Sequence, residues 1–259
     1  MPAADLFSIQ GKTALVTGGS RGIGLMIARG FVEAGARVVI SSRKADVCDQ
    51  VAEELGRIGE CVAMPADLST ADECRRLAAE VSNHFDGALD ILVNNAGANW
   101  GAPLAEFPDS AWDRVLDLNV KGVFHLTQAL VPSLAAAGSP ADPARVINIG
   151  SIDGLRVPEF ETYSYSASKA AVHHLTRVLA KRLARDHITV NAIAPGPFES
   201  KMMAATLDAF GDVIRAQCPL GRIGEPDDMA GTAIFLSSRA GSYLTGAVIP
   251  VDGGIATTA

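Results

Sequence analysis

The sequence lacks an excess of positive charge and any long apolar stretch. Its 22 Lys and Arg residues are outnumbered by 29 Asp and Glu residues, which gives a net charge of -7. This sign is wrong for sequence-independent binding to nucleic acid phosphates. No run of about 18 uncharged apolar residues occurs, so no membrane span is expected. The expected partner is a small molecule, and the expected location is the cytoplasm.

The sequence also lacks a metal-type pairing of cysteines. Its four cysteines form no CxxC pair and have no histidines at ligand spacing, so free and mostly buried thiols are expected. His173 and His174 are adjacent on a predicted helix and point in different directions, which argues against joint ligation. No metal site is predicted.

The order of segments predicts an α/β fold. Short β-branched apolar runs alternate with longer segments of helical period, which is typical of βαβ units. At 259 residues and 48% hydrophobic composition, residues 1–259 are expected to form one domain. We predict a doubly wound sheet of about seven parallel strands with helices on both faces. The strands are predicted at Thr13–Thr17, Arg37–Ser41, Cys61–Pro65, Ile91–Asn94, Arg145–Gly150, Thr189–Ala194 and Ala247–Val251.

Segment 195–224 separates the sixth strand from the last helix and is too long for an idle connection in a compact domain. Its apolar side chains include Phe198 and Met202, so we predict a lid over a substrate pocket. Packing of a short helix within the segment is the alternative. Trp100 and Phe160 are further pocket candidates, although single aromatic residues more often belong to the core.

A glycine-rich turn at residues 18–24 follows the first strand and opens a helix. Glycine lets the backbone approach a pyrophosphate at a helix N-terminus, where free N–H groups favour anions. A tight strand-to-helix turn also needs glycine for structural reasons, so the motif alone is weak evidence. Its position after the first strand favours a dinucleotide site.

The end of the second strand indicates which dinucleotide binds. An NAD enzyme places a carboxylate there for the ribose 2′-OH, whereas this chain has Ser42 followed by Arg43. Ser42 can donate to a 2′-phosphate, and Arg43 and Arg21 can clamp it as charged forks. Ordinary solvated arginines are the alternative. NADP(H) is the predicted cofactor.

Tyr165 and Lys169 are four residues apart on a predicted helix, Thr162–Arg185, so their side chains share a face. A free tyrosine has a pKa of about 10 and needs a nearby cation to stabilise its phenolate. Tyr163 competes for the role, but four residues beyond it stands Ala167 rather than a lysine. Tyr165 is therefore the predicted catalytic tyrosine.

Two further polar residues stand out. Ser151 supplies a hydroxyl just past the fifth strand, at the sheet edge where doubly wound folds bind ligands. Asn119 lies within a predicted helix, Asp109–Leu134, where asparagine has poor propensity. A turn residue and a helix kink are the structural alternatives for these two positions.

Taken together, the motifs resemble the short-chain dehydrogenase/reductase family. The glycine turn has the spacing Gly-x-x-x-Gly-x-Gly, and the later family motifs occur in order. They are Asp67-Leu68, Asn94-Asn95-Ala96-Gly97, Asn119, Ser151, Tyr165-x-x-x-Lys169 and Pro195-Gly196.

The resemblance implies a Rossmann-like fold and NADP(H)-dependent hydride transfer to or from a carbonyl or secondary alcohol. It implies that Ser151 orients the substrate oxygen and Tyr165 transfers the proton. Lys169 stabilises the phenolate and anchors the nicotinamide ribose, while Asn119 holds a water beside it. The implied cofactor-binding set also includes Gly18, Ser20, Arg21, Gly22, Ile23, Gly24, Ser42, Arg43, Asp67, Leu68, Asn95, Ala96, Gly97, Pro195 and Gly196.

Ser42-Arg43, the segment 98–101 and the paired tyrosines resemble a narrower group, the NADPH-dependent 3-oxoacyl-[acyl-carrier-protein] reductases of rhamnolipid synthesis. Segments 153–160 and 195–224 depart from that group. A 3-oxoacyl substrate is therefore one expectation, a sugar acid or polyol another, and a catalytically inactive NADP-binding regulator a third. An acidic acyl carrier protein would need a basic patch, for which Lys201, Arg215 and Arg222 are candidates. The family resemblance also implies a homotetramer.

Overall fold

The computed structural model describes residues 2–199 and 203–258. Seven strands form one parallel sheet in the order β3-β2-β1-β4-β5-β6-β7, which confirms the predicted doubly wound architecture. The strands are β1 (Thr13–Thr17), β2 (Arg37–Ser41), β3 (Cys61–Ala63), β4 (Ile91–Asn94), β5 (Ala144–Ile149), β6 (Ile188–Pro195) and β7 (Val248–Val251).

Helices cover both faces of the sheet. Alternate residues of a strand point to opposite faces, so Ala14 and Val16 join one apolar core while Leu15 joins the other. The helices are α1 (Ala3–Leu6), α2 (Gly22–Glu33), α3 (Ala45–Gly56), α4 (Ala71–His84), α5 (Asp109–Leu116), α6 (Val123–Ala137), α7 (Tyr163–Leu183), α8 (Ala204–Gln217) and α9 (Pro226–Ser237).

The predicted helix Asp109–Leu134 is not one regular α-helix. A π-helical turn, Asp117–Gly122, joins α5 to α6 and contains Asn119. A Cβ at Gly122 would lie 2.4 Å from the Leu68 carbonyl oxygen, so the wider turn meets the loop after β3 at close range. The kink considered for Asn119 is therefore present, and π-turns of this kind are frequent at functional sites.

A cluster of charges holds the sheet at the edge where its strands begin. Lys12, just before β1, pairs with Asp90 and Asp142, which precede β4 and β5. Arg145 is only 1% exposed, yet it donates to Asp142 and to the Leu236 carbonyl oxygen at the end of α9. Buried charge is tolerated here because it is paired and hydrogen-bonded.

The four thiols are free, and three of them are buried while Cys61 is partly so. In residues 2–199 and 203–258, no helix combines the length and apolarity that crossing a membrane requires. Nor do the His, Cys, Asp and Glu side chains of this described part form a group of three that could hold a metal ion.

Helices α2 and α9 pack closely at Gly30. A Cβ at this position would lie 2.5 Å from the Ala230 Cβ, whereas a Cβ at Gly231, on the same helix α9, would meet nothing within 4 Å. The absence of a side chain at Gly30 therefore sets the distance between the two helices.

We expect Gly30→Ala to lower the free energy of unfolding, because overpacking of about 1–3 kcal/mol exceeds the roughly 1 kcal/mol gained by replacing a helical glycine. Gly231→Ala, which adds the same methyl group in open space, should raise it by about 0.5–1 kcal/mol. Urea unfolding of both variants measures the two changes. A shift of the same sign in both would contradict this account of the helix packing.

Candidate active site

The glycine turn after β1 has the backbone that a dinucleotide site requires. Gly18 and Gly22 have φ of 64° and 52°, a region that favours glycine. A Cβ at Gly24 would lie 2.3 Å from the Gly18 carbonyl oxygen. No side chain in the described part of the chain caps the N-terminus of α2 at Arg21, so its first N–H groups are available to an anion.

Asn95 ties this turn to the end of β4. Its side-chain amide donates to the carbonyl oxygens of Thr17 and Gly18 at 2.9 and 3.3 Å. The Thr17 hydroxyl in turn accepts from the backbone N–H groups of Asn95 and Ala96 at 2.9 and 3.0 Å. These hydrogen bonds hold the glycine turn against the end of β4.

Asn94 has a structural role. Its amide donates to Thr127 Oγ1 at 3.0 Å and to Asn148 Oδ1 at 2.9 Å, and the residue is buried. Both donors of this side chain are thus used inside the protein. Of the two asparagines that end β4, Asn95 is the one beside the glycine turn.

Two arginines, one in the glycine turn and one just after β2, carry positive charge toward the predicted 2′-phosphate site. Arg21 and Arg43 are exposed, and no ion pair engages either one within residues 2–199 and 203–258. The Ser42 hydroxyl makes a long hydrogen bond, 3.4 Å, to the Lys44 carbonyl oxygen. These residues fit a cofactor with an additional phosphate, because Ser42 stands where an NAD-specific site has a carboxylate.

The other predicted cofactor residues lie at the same edge of the sheet. Asp67 Oδ1 accepts from the Ser69 N–H at 3.2 Å, and Leu68 is 5% exposed within the core. Pro195 ends β6, and a Cβ at Gly196 would lie 2.7 Å from the Asp252 Cβ. A glycine is needed at position 196 because the two chain segments approach so closely.

Lys169 and Tyr165 are adjacent on α7, as their spacing predicted. The Lys169 ammonium lies 5.4 Å from the centre of the Tyr165 ring and donates to the Ile149 carbonyl oxygen at 2.7 Å. Ile149 is the last residue of β5, and Ser151 follows two residues later with a buried side chain. The end of β5 therefore brings Ser151, Tyr165 and Lys169 together.

Burial shifts both ionisable groups of this pair toward neutrality. It raises the pKa of Tyr165 to about 12, while a hydrogen bond with Ser151 lowers it and the Asp153 carboxylate raises it. Burial lowers the pKa of Lys169 to about 8, which Asp153 partly opposes. The Tyr165 phenol is therefore protonated at neutral pH and able to donate.

Tyr163 is engaged elsewhere. Its hydroxyl donates to Glu161 Oε1 at 2.6 Å, and its ring packs edge-on against Phe107 at 5.2 Å. The hydrogen bond to Glu161 raises the pKa of Tyr163. Of the two tyrosines, Tyr165 alone has the lysine neighbour on which the sequence prediction depended.

Asn119 connects the π-turn to α7. Its amide donates to the Ala98 carbonyl oxygen at 3.0 Å and to Ser168 Oγ at 2.9 Å, and its oxygen accepts from the Ala98 N–H at 2.8 Å. Ser168 then donates to the Tyr165 carbonyl oxygen at 2.7 Å. The predicted role of Asn119 in holding a water beside Lys169 stays a prediction.

The predicted pocket residues differ in their surroundings. Trp100 is partly buried beneath the Arg114 guanidinium, which lies 5.5 Å from the ring centre. Phe160 is 52% exposed, and its ring lies 6.4 Å from that of Phe210 on α8. Phe198, by contrast, is 2% exposed in the core, so it supports the base of segment 195–224. Met202 lies outside the described residues.

The two ends of segment 195–224 contact each other. Phe198 and Gly224 form an isolated parallel bridge, and the Gly224 N–H donates to the Pro197 carbonyl oxygen at 3.0 Å. A Cβ at Gly224 would lie 2.4 Å from the Phe198 ring. Helix α8 lies between these two points, which confirms the short helix considered for this segment.

The basic patch expected near the pocket is weak. Arg215 pairs with Asp212 at 2.7 Å, and Arg222 pairs with Asp228. Lys201 lies outside the described residues. Because each arginine has an aspartate partner, neither offers a free positive charge to an acidic protein.

Sequence reasoning missed two residues near Ser151. Asp153 follows it in the 3-10 turn Ile152–Gly154 and interacts electrostatically with Tyr165 and Lys169. His173, to which the sequence assigned no site role, is buried behind this turn. A Cβ at Gly150 would lie 2.1 Å from His173 Nε2. The spacing of residues in the sequence indicates neither the proximity of Asp153 to Tyr165 and Lys169 nor that of His173 to Gly150.

His173 is 3% exposed, and neither of its ring nitrogens finds a hydrogen-bond partner in the described part of the chain. Burial lowers the pKa of His173 from 6.5 to about 4. The unfolded chain therefore binds a proton at a higher pH than the folded chain does. The resulting stability is complete above about pH 6.5 and decreases as the pH falls toward about 4.

We expect His173→Leu to remove this part of the acid destabilisation, which reaches about 3 kcal/mol at most. The measurement is urea unfolding near pH 7 and near pH 4.5, compared between the wild type and the variant. His174→Leu, at the exposed neighbouring position, is the control and should keep the wild-type pH dependence. An unchanged pH dependence in His173→Leu would show that the buried imidazole does not contribute.

Comparisons with known proteins agree with this geometry. A family model described as enoyl-(acyl carrier protein) reductase matches residues 18–256. The rhamnolipids biosynthesis 3-oxoacyl-[acyl-carrier-protein] reductase of Pseudomonas aeruginosa is 51% identical over 251 residues, which cover 96% of this chain and 97% of that protein.

Solved structures give the same result. The RhlG/NADP active-site complex of Pseudomonas aeruginosa superposes with a TM-score of 0.94 at 49% identity, covering 97% of this chain and 99% of that one. A gluconate 5-dehydrogenase from Burkholderia cenocepacia in complex with NADP and tartrate gives 0.92 at 35% identity, covering 100% of both chains. The glycine turn, the end of β5 and the Tyr165–Lys169 pair thus stand in a chain that belongs to the short-chain dehydrogenase/reductase family.

Proposed function

We propose that this chain is a single-domain, NADP(H)-dependent oxidoreductase that interconverts a ketone and a secondary alcohol. The observation that carries the proposal is the meeting of Ser151, Tyr165 and Lys169 at the carboxyl end of β5. The glycine turn after β1 has no room for further side chains, and its exposed backbone fits a bound dinucleotide. These residues give the proposed function both a proton donor and a cofactor cradle.

NADP(H), when bound, supplies or accepts the hydride. In the reductive direction the Ser151 and Tyr165 hydroxyls hydrogen-bond the carbonyl oxygen and orient it. Tyr165 then transfers its proton to that oxygen as a general acid. Lys169 stabilises the phenolate that remains, because its ammonium is held beside the ring and carries a charge of opposite sign.

For the substrate, we favour a 3-oxoacyl thioester. The 51% identity to a 3-oxoacyl-[acyl-carrier-protein] reductase supports this assignment. Exposed apolar side chains lie on the loop after Ser151 and on α8, which suits an acyl chain. They are Leu155 at 43% exposure, Val157 at 88%, Phe160 at 52%, Phe210 at 50% and Val213 at 54%.

A sugar acid is the second candidate, since a gluconate 5-dehydrogenase shares the fold over the whole chain. Arg156 is a cationic side chain on the loop after Ser151 that suits an anionic substrate. The third alternative, an inactive NADP-binding regulator, would have no use for the complete set of Ser151, Tyr165, Lys169 and Asn119.

Assembly and location complete the proposal. A homotetramer is favoured by exposed apolar side chains on the two long helices, Phe124 on α6 and Val178 on α7, and by the fully exposed Tyr243 near the C-terminus. A cytoplasmic location is favoured by four free thiols, which persist in a reducing compartment. Light scattering of the purified protein tests the tetramer.

The cofactor assignment is tested at Arg43. We expect the wild type to prefer NADPH to NADH in kcat/KM, and Arg43→Ala to reduce that preference by about ten- to a hundredfold, because a charged hydrogen bond to the 2′-phosphate is lost. Activity with NADH should change little. Arg57→Ala, at an exposed arginine paired with Glu53, is the control. Comparable wild-type kcat/KM with both cofactors would refute the NADP assignment.

The catalytic assignment is tested with the two tyrosines. Tyr165→Phe should bind NADPH normally, as measured by nicotinamide fluorescence, yet reduce its ketone about 10²- to 10⁴-fold more slowly because the proton donor is gone. Tyr163→Phe loses a hydroxyl that only contacts Glu161, so its kcat should remain within a few-fold of wild type. The opposite pattern would move the catalytic role to Tyr163.

A further inference from the structure

Asp153 lies two residues beyond Ser151, in the 3-10 turn that follows β5. Its backbone N–H donates to Ser151 Oγ at 3.1 Å, so the two residues share one tight turn. The turn lies directly on α7, because a Cβ at Gly154 would be 2.7 Å from the Lys169 carbonyl carbon and from the Ala170 nitrogen. The Asp153 side chain is thereby held next to the catalytic pair.

The Asp153 carboxylate is partly buried and has no close partner. In the described part of the chain it interacts with Arg156 and Lys169 only through longer-range electrostatics, without a hydrogen bond or ion pair. Burial raises its pKa. An unpaired carboxylate in such a place costs free energy, and groups of this kind concentrate at functional sites.

The electrostatic effect of Asp153 reaches both members of the catalytic pair. Its charge raises the pKa of Tyr165 and that of Lys169. Substrate atoms that bind close to the Tyr165 hydroxyl would lie in the same electrostatic field. A negative charge on the substrate next to the reacting carbon would therefore be repelled, whereas a neutral ester at that position would not.

We propose that Asp153 is a specificity-determining residue that selects against substrates carrying a negative charge beside the reacting carbonyl. The inference rests on the proposed oxidoreductase function and narrows its substrate class. A thioester-linked 3-oxoacyl chain is neutral next to its ketone, while the corresponding free 3-oxo acid carries a carboxylate two bonds away. Asp153 thus favours the esterified form over the free acid.

The test uses two alcohols that differ only in this charge, 3-hydroxyoctanoate and its methyl ester, oxidised with NADP⁺. The wild type should prefer the ester in kcat/KM. Asp153→Asn, which keeps the size of the side chain, should reduce that preference by about tenfold, because the repulsion between two like charges is removed. Asp153→Ser should also reduce the preference for the ester.

A matched control is Asp186→Asn. Asp186 ends the 3-10 turn Ala184–Asp186 before β6, at the opposite edge of the sheet, and its removal should leave the preference unchanged. If Asp153 acted only through Tyr165 and Lys169, or only on folding, both alcohols would change by the same factor. Equal changes, or an unchanged ratio in Asp153→Asn, would overturn the inference while leaving the proposed function intact.

The preference for the ester over the free acid can also be measured by binding, without turnover. The dissociation constants of the two alcohols from the enzyme–NADPH complex, followed by nicotinamide fluorescence, should show the same tenfold loss of discrimination in Asp153→Asn. An unchanged ratio of dissociation constants would overturn the inference. Failure to bind NADPH or to oxidise either alcohol would overturn the proposed function, and the inference with it.

Discussion

The buried ammonium of Lys169 is the constraint on which the site depends. A charge that is 6% exposed is tolerated only if it is hydrogen-bonded, and the Ile149 carbonyl oxygen accepts that bond at 2.7 Å. The bond fixes α7 to the carboxyl end of β5. It also sets the position from which the turn bearing Ser151 begins, so the burial of one lysine places Ser151 relative to α7.

A buried chain of amides and hydroxyls carries this arrangement across the sheet. Asn94 donates to Asn148, and Asn148 donates to Thr176 on α7, each at 2.9 Å. Thr17 and Asn95 make the equivalent connection between β1 and β4. Because every link is directional, the glycine turn and α7 are held in one register, which apolar packing alone would not specify.

The sheet and the proximity of Tyr165 to Lys169 could be predicted because their signals are local. Buried parallel strands are continuously apolar, and the spacing of Tyr165 and Lys169 is a property of one helix. The π-helical form of the kink at Asn119, the burial of Phe198 and the electrostatic effect of Asp153 could not be predicted. Each depends on a contact between distant segments, such as Gly122 with Leu68 or Gly154 with Lys169, that leaves no trace in residue spacing.

Segment 195–224 leaves β6 and leads into α9, and the pairing of Phe198 with Gly224 holds its two ends together. Once the two ends are fixed, the entropy of closing the loop varies only slowly with the number of residues between them. Insertions, deletions and changes of composition can therefore accumulate in this segment without disturbing β6 or the contact between Tyr165 and Lys169. The fold in this way allows the segment to vary independently of the end of β5.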